Sequence, residues 1–253
     1  MLPTPLPAAA STESPSAVIG KVKALAFDVF GTVVDWRGSV IRDGEALSRR
    51  TGVEADWGAF ADAWRGEYRP SMKPIIEGQR PWMNLDVLHW ENLLATVKRL
   101  KIEGLGEQDL RWLNLAWHRL DPWPDAAEGL ARLKRQYVIV TLSNGNIALT
   151  VDLVRHGRLP FDAVLGAEVA RQYKPHPQAY LTTVSLLGLE PAQVMMVAAH
   201  NGDLRAASRA GLRTAFVIRP TMNGPAQKDD LAPEGEWDVV ARDFIDLAGR
   251  LGA

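Results

Sequence analysis

Asp28 is the side chain in this sequence best placed for covalent chemistry. It directly follows the apolar run Val22–Phe27, and the chain is expected to turn at once through Phe30-Gly31-Thr32. A carboxylate at the end of a buried strand is desolvated and rigidly held, and such a group can act as a covalent nucleophile. A turn or helix-capping aspartate is the alternative interpretation of this single position.

Three later clusters carry groups that complement a carboxylate nucleophile. The Ser143-Asn144 pair offers a hydroxyl, an amide and backbone N–H groups suited to an anion. Lys174 is a candidate countercharge that keeps Asp28 ionised and attracts an anionic substrate. Asp203 can orient Lys174 or a hydrolytic water. Each alone has an ordinary explanation, as a turn serine, a solvated lysine or a helix N-cap, but together they predict a catalytic site.

The elements that position these groups are strands of a parallel sheet. Four short apolar runs each end in polar residues, a pattern typical of strands buried on both faces. These runs are Val22–Phe27, Val138–Leu142, Val194–Ala199 and Thr214–Ile218. Helical patterns lie between them, so the predicted fold class is α/β, a doubly wound parallel sheet. Ligands bind such sheets beyond the carboxyl ends of the strands, where the polar clusters should converge.

The segment between Trp36 and Asp121 has a different pattern. It has no buried-strand run, and eight of the nine tryptophans fall between Trp36 and Trp123. We interpret it as an all-helical cap over the mouth of the sheet, with most tryptophans filling contacts between helices. The clearest helical stretches in it are Trp57–Tyr68, Leu85–Lys98 and Leu110–His118. The predicted division is a disordered tail at 1–19, an α/β core at 20–36 and 122–253, and the cap at 37–121.

Composition narrows the function classes. The 253 residues carry 29 Lys and Arg against 30 Asp and Glu, a formal net charge of −1 that argues against nonspecific nucleic-acid binding. The absence of cysteine excludes disulfides, thiolate metal sites and cysteine nucleophiles, and agrees with a cytoplasmic location. No apolar run reaches the roughly 18 residues that span a bilayer. We therefore expect neither a nucleic-acid partner nor a membrane association.

Four motifs, taken in order, resemble those of the haloacid dehalogenase superfamily. They are Asp28-Val-Phe-Gly-Thr32, Ser143-Asn144-Gly145, Lys174-Pro175 and Asp203. The resemblance runs from Lys21 to the C-terminus and implies the superfamily's Rossmann-like core. The helical cap and the local pattern look like the (S)-2-haloacid dehalogenases, also called type II haloacid dehalogenases.

This resemblance implies a role for each matching residue. Asp28 matches the nucleophile, and Thr32 matches the threonine that holds its carboxylate. Arg65, in the pair Trp64-Arg65, matches the arginine that faces the departing halide. The further matches are a carboxylate- and halide-binding pair at Ser143 and Asn144, a lysine beside the nucleophile at Lys174, and a tyrosine supporting the substrate-carboxylate site at Tyr180.

Position 30 separates dehalogenases from phosphatases of the superfamily. The phosphatases carry a second aspartate there, which protonates the leaving group, and they bind Mg²⁺ through the nucleophile and a carboxylate of the last motif. Phe30 cannot donate a proton, and a halide leaving group needs none. Phe30 is therefore expected to line a substrate site for a haloacid.

The fourth motif departs from the best-known members. Ala198, His200, Gly202 and Asp203 stand where those have serine, asparagine, an aromatic residue and aspartate. Without the aromatic residue, the pocket wall must come from elsewhere, and a tryptophan of the cap is the candidate. His200 either positions or deprotonates the hydrolytic water or is a hydrogen-bonding residue at the strand end.

These features predict hydrolytic dehalogenation of short 2-haloalkanoic acids to 2-hydroxy acids, through an aspartyl ester and with inversion at C2. No metal or other cofactor is expected, because Lys174 and Arg65 supply positive charge. The resemblance also implies a homodimer. Two alternatives stay open: a Mg²⁺-dependent phosphohydrolase acting on a small phosphate ester, and a non-catalytic binding protein that keeps the fold.

Overall fold

A six-stranded parallel sheet forms the centre of the molecule. The computed structural model describes residues 20–253, so the disordered tail predicted at 1–19 lies outside the described residues. The strand order is β5-β4-β1-β6-β7-β8, and every neighbouring pair is parallel. The strands are β1 Ala24–Phe27, β4 Val138–Ser143, β5 Ala163–Gly166, β6 Val194–Ala198, β7 Arg213–Val217 and β8 Val239–Ala241. The predicted α/β fold class is confirmed.

Helices cover both faces of this sheet, as the apolar runs require. In β1, Leu25 and Phe27 pack into one hydrophobic cluster while Ala24 and Ala26 pack into the other. Because alternate side chains of a strand point to opposite faces, a strand apolar at every position must be covered twice. The covering helices are α6 Ala126–Leu133, α7 Ile147–His156, α8 Ala167–Ala170, α9 Pro177–Leu186, α10 Asn201–Arg209 and α11 Phe244–Arg250.

Strands β5 and β8 were not predicted from the sequence. Both are edge strands of three or four residues. An edge strand is only partly covered, and Ala163 to Leu165 are accordingly half-buried. Such strands need no long apolar run, so the pattern that marks the central strands is absent from them.

A helical segment lies between β2 and β3, two short strands that pair antiparallel at Val34–Asp35 and Asp121–Pro122. Its helices are α1 Trp36–Thr51, α2 Trp57–Gly66, α3 Tyr68–Ile76, α4 Leu85–Arg99 and α5 Glu107–Asn114, followed by a 3₁₀ turn at Leu115–His118. Side-chain oxygens of Asp35, Asp56 and Asn84 accept hydrogen bonds from backbone N–H groups in the first turns of α1, α2 and α4. The stretch predicted as one helix to Tyr68 is broken at Glu67, and α3 begins at Tyr68.

Three tryptophans of this segment pack against one another. Trp36, Trp64 and Trp117 are all almost completely buried, with Trp36 and Trp117 stacked 6.2 Å apart between ring centroids. No helix within residues 20–253 combines the length and the apolar character needed to cross a bilayer. The exact division into a core and a cap at 37–121 stays a prediction.

Candidate active site

The candidate site lies at the point in the sheet where the strand order reverses. β1 pairs with β4 on one side and with β6 on the other, so the connections leaving these strands diverge and open a crevice at their carboxyl ends. Asp28 follows β1, Asn144 follows β4 and His200 lies just after β6. The polar clusters that the sequence places after separate strands therefore meet at one edge of the sheet.

Asp28 is buried, with 6% of its surface exposed, and both its carboxylate oxygens are held. Oδ1 accepts a hydrogen bond from Lys174 Nζ at 2.8 Å, and Oδ2 accepts one from Thr32 Oγ1 at 2.7 Å. Burial alone would raise the pKa of Asp28, but the positive charges of Lys174 and His200 and these hydrogen bonds hold it below its usual value. The carboxylate is thus ionised and rigidly oriented.

The turn after Asp28 brings Thr32 back to it. Gly31 has a φ of 85°, and a Cβ there would lie 3.2 Å from Met222 Sδ and 3.4 Å from His200 Nε2, so a side chain would be both strained and crowded. Thr32 Oγ1 also accepts a hydrogen bond from the Ala199 N–H at 3.0 Å. Because the oxygen accepts this hydrogen bond through a lone pair, the hydroxyl hydrogen of Thr32 stays available to donate to the Asp28 carboxylate.

Lys174 bridges two carboxylates. Its Nζ lies 2.8 Å from Asp28 Oδ1 and 2.5 Å from Asp203 Oδ2, and the other oxygen of Asp203 accepts the Tyr180 hydroxyl at 2.6 Å. Burial would lower the pKa of Lys174, but the charges of Asp203 and Asp28 raise it above its usual value, so the ammonium stays charged. Burial raises the pKa of Asp203, and burial together with the Asp203 charge raises the pKa of Tyr180.

The last residue of β4 and the residue after it differ in what they face. Asn144 Oδ1 accepts the Lys174 backbone N–H at 2.8 Å, which fixes the amide at the crevice. Ser143 is fully buried, and its Oγ accepts the Gly145 N–H at 2.9 Å. Ser143 therefore shapes the turn that presents Asn144.

A cleft of about 600 Å³ opens over these groups. Eight of the residues singled out from the sequence line it: Asp28, Phe30, Arg65, Asn144, Lys174, Tyr180, His200 and Asp203. Thr32 and Ser143 are not among the lining residues within 20–253; both are fully buried beside the cleft. The cleft thus combines a carboxylate nucleophile with several cationic and polar groups.

Arg65 approaches the cleft from α2. Its guanidinium carbon lies 3.9 Å from the centroid of the Tyr68 ring and 5.9 Å from that of Phe30. Its Nη1 is buried and has no hydrogen-bond partner within residues 20–253. A buried cationic N–H without an acceptor is costly, and an anion entering the cleft would satisfy it.

The apolar lining of the cleft differs from what the sequence analysis predicts. No tryptophan is among the lining residues of the cleft in the described part of the chain; the large side chains that α3 contributes to its lining are Tyr68, Met72 and Ile76. The idea of a cap tryptophan there was wrong, because the large indoles are already packed in the interior of the helical segment. The sequence analysis places Tyr68 only at the end of a predicted helix, and nothing in its local sequence marks it as a residue of the site.

His200 lies between two strand ends and a distant loop. Its Nε2 is 3.0 Å from the Phe30 carbonyl oxygen and 3.6 Å from Asp28 Oδ2, and its Nδ1 is 3.2 Å from Asp230 Oδ2. Burial would lower the pKa of His200, but the hydrogen bond to Asp230 and the charge of Asp28 raise it. Asp230 was missed from the sequence, since it lies in an irregular loop with no motif around it.

Comparisons with known proteins agree with this geometry. The protein-family model of the haloacid dehalogenase-like hydrolases matches residues 22–211 of this chain. The (S)-2-haloacid dehalogenase of Xanthobacter autotrophicus is 28% identical over 216 residues, which cover 82% of this chain and 79% of that protein.

Two solved structures share the fold. The defluorinating L-2-haloacid dehalogenase Rha0230 is 47% identical with a TM-score of 0.89, over 92% of this chain and 96% of that one. The Xanthobacter autotrophicus L-2-haloacid dehalogenase with chloropropionic acid covalently bound is 26% identical with a TM-score of 0.77, over 92% and 99%. This chain therefore belongs to the haloacid dehalogenase-like hydrolases and, within them, to the L-2-haloacid dehalogenase family.

Proposed function

We propose that this protein hydrolyses the carbon–halogen bond of short 2-haloalkanoic acids and releases 2-hydroxy acids with inversion at C2. The observation that carries the proposal is the ionised, buried Asp28, held by Thr32 and Lys174 in a cleft also lined by Arg65, whose Nη1 has no hydrogen-bond partner among residues 20–253. A fixed anion and a free cationic donor in one cleft suit displacement of a halide by a carboxylate.

In the first step the Asp28 carboxylate attacks C2 of the haloacid from the side opposite the halogen. The new C–O bond forms as the carbon–halogen bond breaks, and the halide leaves toward Arg65 and the Asn144 amide. The substrate carboxylate is held by backbone N–H groups of the turn that Ser143 shapes and by the positive charge of Lys174. Tyr180 acts indirectly, through its hydrogen bond to Asp203.

In the second step water attacks the carbonyl carbon of the Asp28 ester and frees the 2-hydroxy acid. Lys174 is not the base for this step, because its ammonium still faces the charged Asp203 after Asp28 has become an ester. Asp203 orients Lys174, and His200 is the group in the cleft that can contact the water. Oxygen from that water enters the carboxylate of Asp28.

Phe30 supports dehalogenation over phosphate-ester hydrolysis. Its ring lines the cleft two residues after the nucleophile and carries no proton for an alcohol leaving group. A halide is a stable anion and leaves unprotonated, so an apolar side chain at this position is no handicap. The proposed reaction runs on charges that the chain itself provides, namely Lys174 and Arg65.

The test is halide release from (S)- and (R)-2-chloropropionate, chloroacetate and fluoroacetate, with EDTA present. We expect release from the (S) form and from haloacetates, and none from Asp28→Asn, because an amide is a poor nucleophile. A small phosphate ester with Mg²⁺ is the comparison substrate. Phosphate release without halide release, or full activity of Asp28→Asn, contradicts the proposal.

We also propose that the chain works as a homodimer in the cytoplasm, on the strength of its resemblance to the family. Light scattering of the purified protein measures the oligomeric state, and fractionation of the native host measures the location. A monomer at working concentrations contradicts the dimer.

A further inference from the structure

Each ring nitrogen of His200 faces hydrogen-bond acceptors. Nδ1 faces the Asp230 carboxylate at 3.2 Å, while Nε2 faces the Phe30 carbonyl at 3.0 Å and Asp28 Oδ2 at 3.6 Å. A neutral imidazole has one N–H, so it would leave one nitrogen lone pair pointing at an acceptor. The contacts are satisfied together only by the imidazolium, which carries a proton on both nitrogens.

Asp230 is held in place by hydrogen bonds from Asn201. It has a φ of 59°, and its Oδ1 accepts hydrogen bonds from the Asn201 backbone N–H at 2.8 Å and from Asn201 Nδ2 at 3.0 Å. The Asn201 side chain is itself tied to the same loop, through Ala232 O, the Glu234 N–H and the Trp237 indole. The loop is thus fastened to the start of α10, which directly follows His200.

We propose that His200 and Asp230 form a charged dyad that releases one proton when the Asp28 ester forms and then takes a proton from the hydrolytic water. This inference rests on the proposed dehalogenation and adds its proton path. Asp230 is a positioning residue, because it acts through His200 and does not line the cleft.

The dyad responds to the reaction because one of its two negative neighbours disappears. The charged groups facing His200 are Asp28, at the end of β1, and Asp230, in the β7–β8 loop. Lys174 contacts the opposite oxygen of Asp28. Ester formation neutralises Asp28 and leaves Asp230 charged, so the proton on Nε2 is lost and the one on Nδ1 stays.

The neutral ring then needs a hydrogen-bond donor at Nε2, where the Phe30 carbonyl offers only an acceptor. A water lying against the ester carbonyl is such a donor, and Nε2 is near enough to the Asp28 carboxylate to contact it. Other groups are less suited to accept its proton. Lys174 is already protonated, and both oxygens of Asp203 are engaged, one with Lys174 and one with Tyr180.

Atoms and charges balance over the cycle. The first step forms the Asp28 ester, expels the halide and sends one proton from His200 Nε2 to solvent. In the second step the water oxygen bonds to the ester carbonyl carbon and the bond to the product oxygen breaks. One proton of the water ends on His200 and the other on the alcohol oxygen of the product. The resting pair of ionised Asp28 and charged His200 is restored.

The first arm of the test is the charge of His200 in the resting protein. The chain has five histidines, so ¹³C-labelled histidine gives a spectrum that can be followed over a pH titration. We expect the His200 ring, assigned as the signal that is lost in His200→Gln, to stay charged above the ordinary value of 6.5, and Asp230→Asn to shift that ring's titration to lower pH. Asp229→Asn is the matched control, because Asp229 carries the same charge one residue away and is exposed. A His200 ring that is neutral at pH 7 overturns the proposal.

The second arm is single-turnover kinetics with chloroacetate, with halide, hydroxy acid and released protons followed separately. In His200→Gln we expect near-normal halide release, ester hydrolysis slowed by about 10²-fold or more, and alkylated protein visible by mass spectrometry. In the unmodified protein and in Asp229→Asn, we expect the proton to be released together with the halide. In His200→Gln, we expect it to be released later, together with the hydroxy acid. Asp230→Asn should slow hydrolysis as well, which covers the case that His200→Gln does not fold.

The outcomes of the two arms separate the two proposals. Unchanged ester hydrolysis in both His200→Gln and Asp230→Asn overturns the dyad while halide release still supports dehalogenation. No halide release by the unmodified protein from any haloacid overturns the proposed function, and with it the dyad's part in the reaction. The resting charge of His200 is then still read from the titration.

Discussion

Replacing Lys174 by methionine tests whether the site depends on one buried cation. Methionine has about the same length and no charge, so Asp28 and Asp203 would remain buried without the ammonium that now lies 2.8 and 2.5 Å from them. Their mutual repulsion would be uncompensated. We expect a large loss of folding free energy together with loss of halide release.

The size of this loss follows from the geometry. At an effective dielectric constant of about 20, one attraction across 2.8 Å amounts to roughly 6 kcal/mol. Part of it is offset because methionine has no desolvation penalty, and removing one partner of a buried pair typically costs about 3–5 kcal/mol. Since Lys174 serves two carboxylates, we expect the upper end, about 5 kcal/mol.

Urea unfolding at several pH values measures the effect, with Lys73→Met as the control. Lys73 lines the same cleft, but its side chain is 71% exposed and lies 3.7 Å from Glu77, a surface pair worth about 0–1 kcal/mol. In wild type the lowered pKa of Asp28 stabilises the fold above its unfolded pKa, and this contribution fades as pH falls. In Lys174→Met, burial without the ammonium raises the folded-state pKa of both carboxyls, so acid relieves the defect. The reasoning is refuted if the free energy of unfolding of Lys174→Met lies less than about 1 kcal/mol below that of wild type at pH 7. It is also refuted if this difference is unchanged down to pH 5.

Two further predictions concern the helical segment. Arg65→Lys keeps the charge but loses the planar donor, so the rate of halide release should fall by about 10²-fold, while the exposed Arg69→Lys should change it little; equal effects would contradict a halide-binding role. His118 is hydrogen-bonded to Asp86 at 3.0 Å and Asp152 at 2.8 Å, which raises its pKa against the effect of burial. The contribution of His118 to the free energy of unfolding, about 2 kcal/mol, should be complete below pH 6.5 and lost as the pH rises through the raised pKa of the folded state. Urea unfolding of His118→Gln should show no such loss.

The central sheet and most of the site could be predicted because local sequence specifies them. A mostly apolar strand that is buried along nearly its whole length must be covered on both faces, and β1, β4, β6 and β7 all follow that pattern. In a parallel sheet their carboxyl ends share one edge. The position of a polar residue immediately after such a run is therefore enough to bring Asp28, Asn144 and His200 together.

The rest depends on long-range packing that leaves no local pattern. Tyr68 lines the cleft from the first turn of α3, which begins after the helical stretch breaks at Glu67. Asp230 reaches His200 from a loop 30 residues further along the chain, fastened by the Asn201 side chain. No periodicity or spacing rule connects these positions, so a single sequence does not reveal them.

The strand order also determines when the nucleophile can be assembled during synthesis. β1 is made first, yet Ala24 pairs with Val138 on one side and Val194 on the other. Domains fold as units while the chain is made from its N-terminus, and closing such long loops is slow. The helical segment, whose contacts are closer in sequence, should fold while β1 still lacks both neighbours. A chain interrupted before Val194 would expose an apolar strand edge, so incomplete synthesis should lead to aggregation rather than to a partly active enzyme.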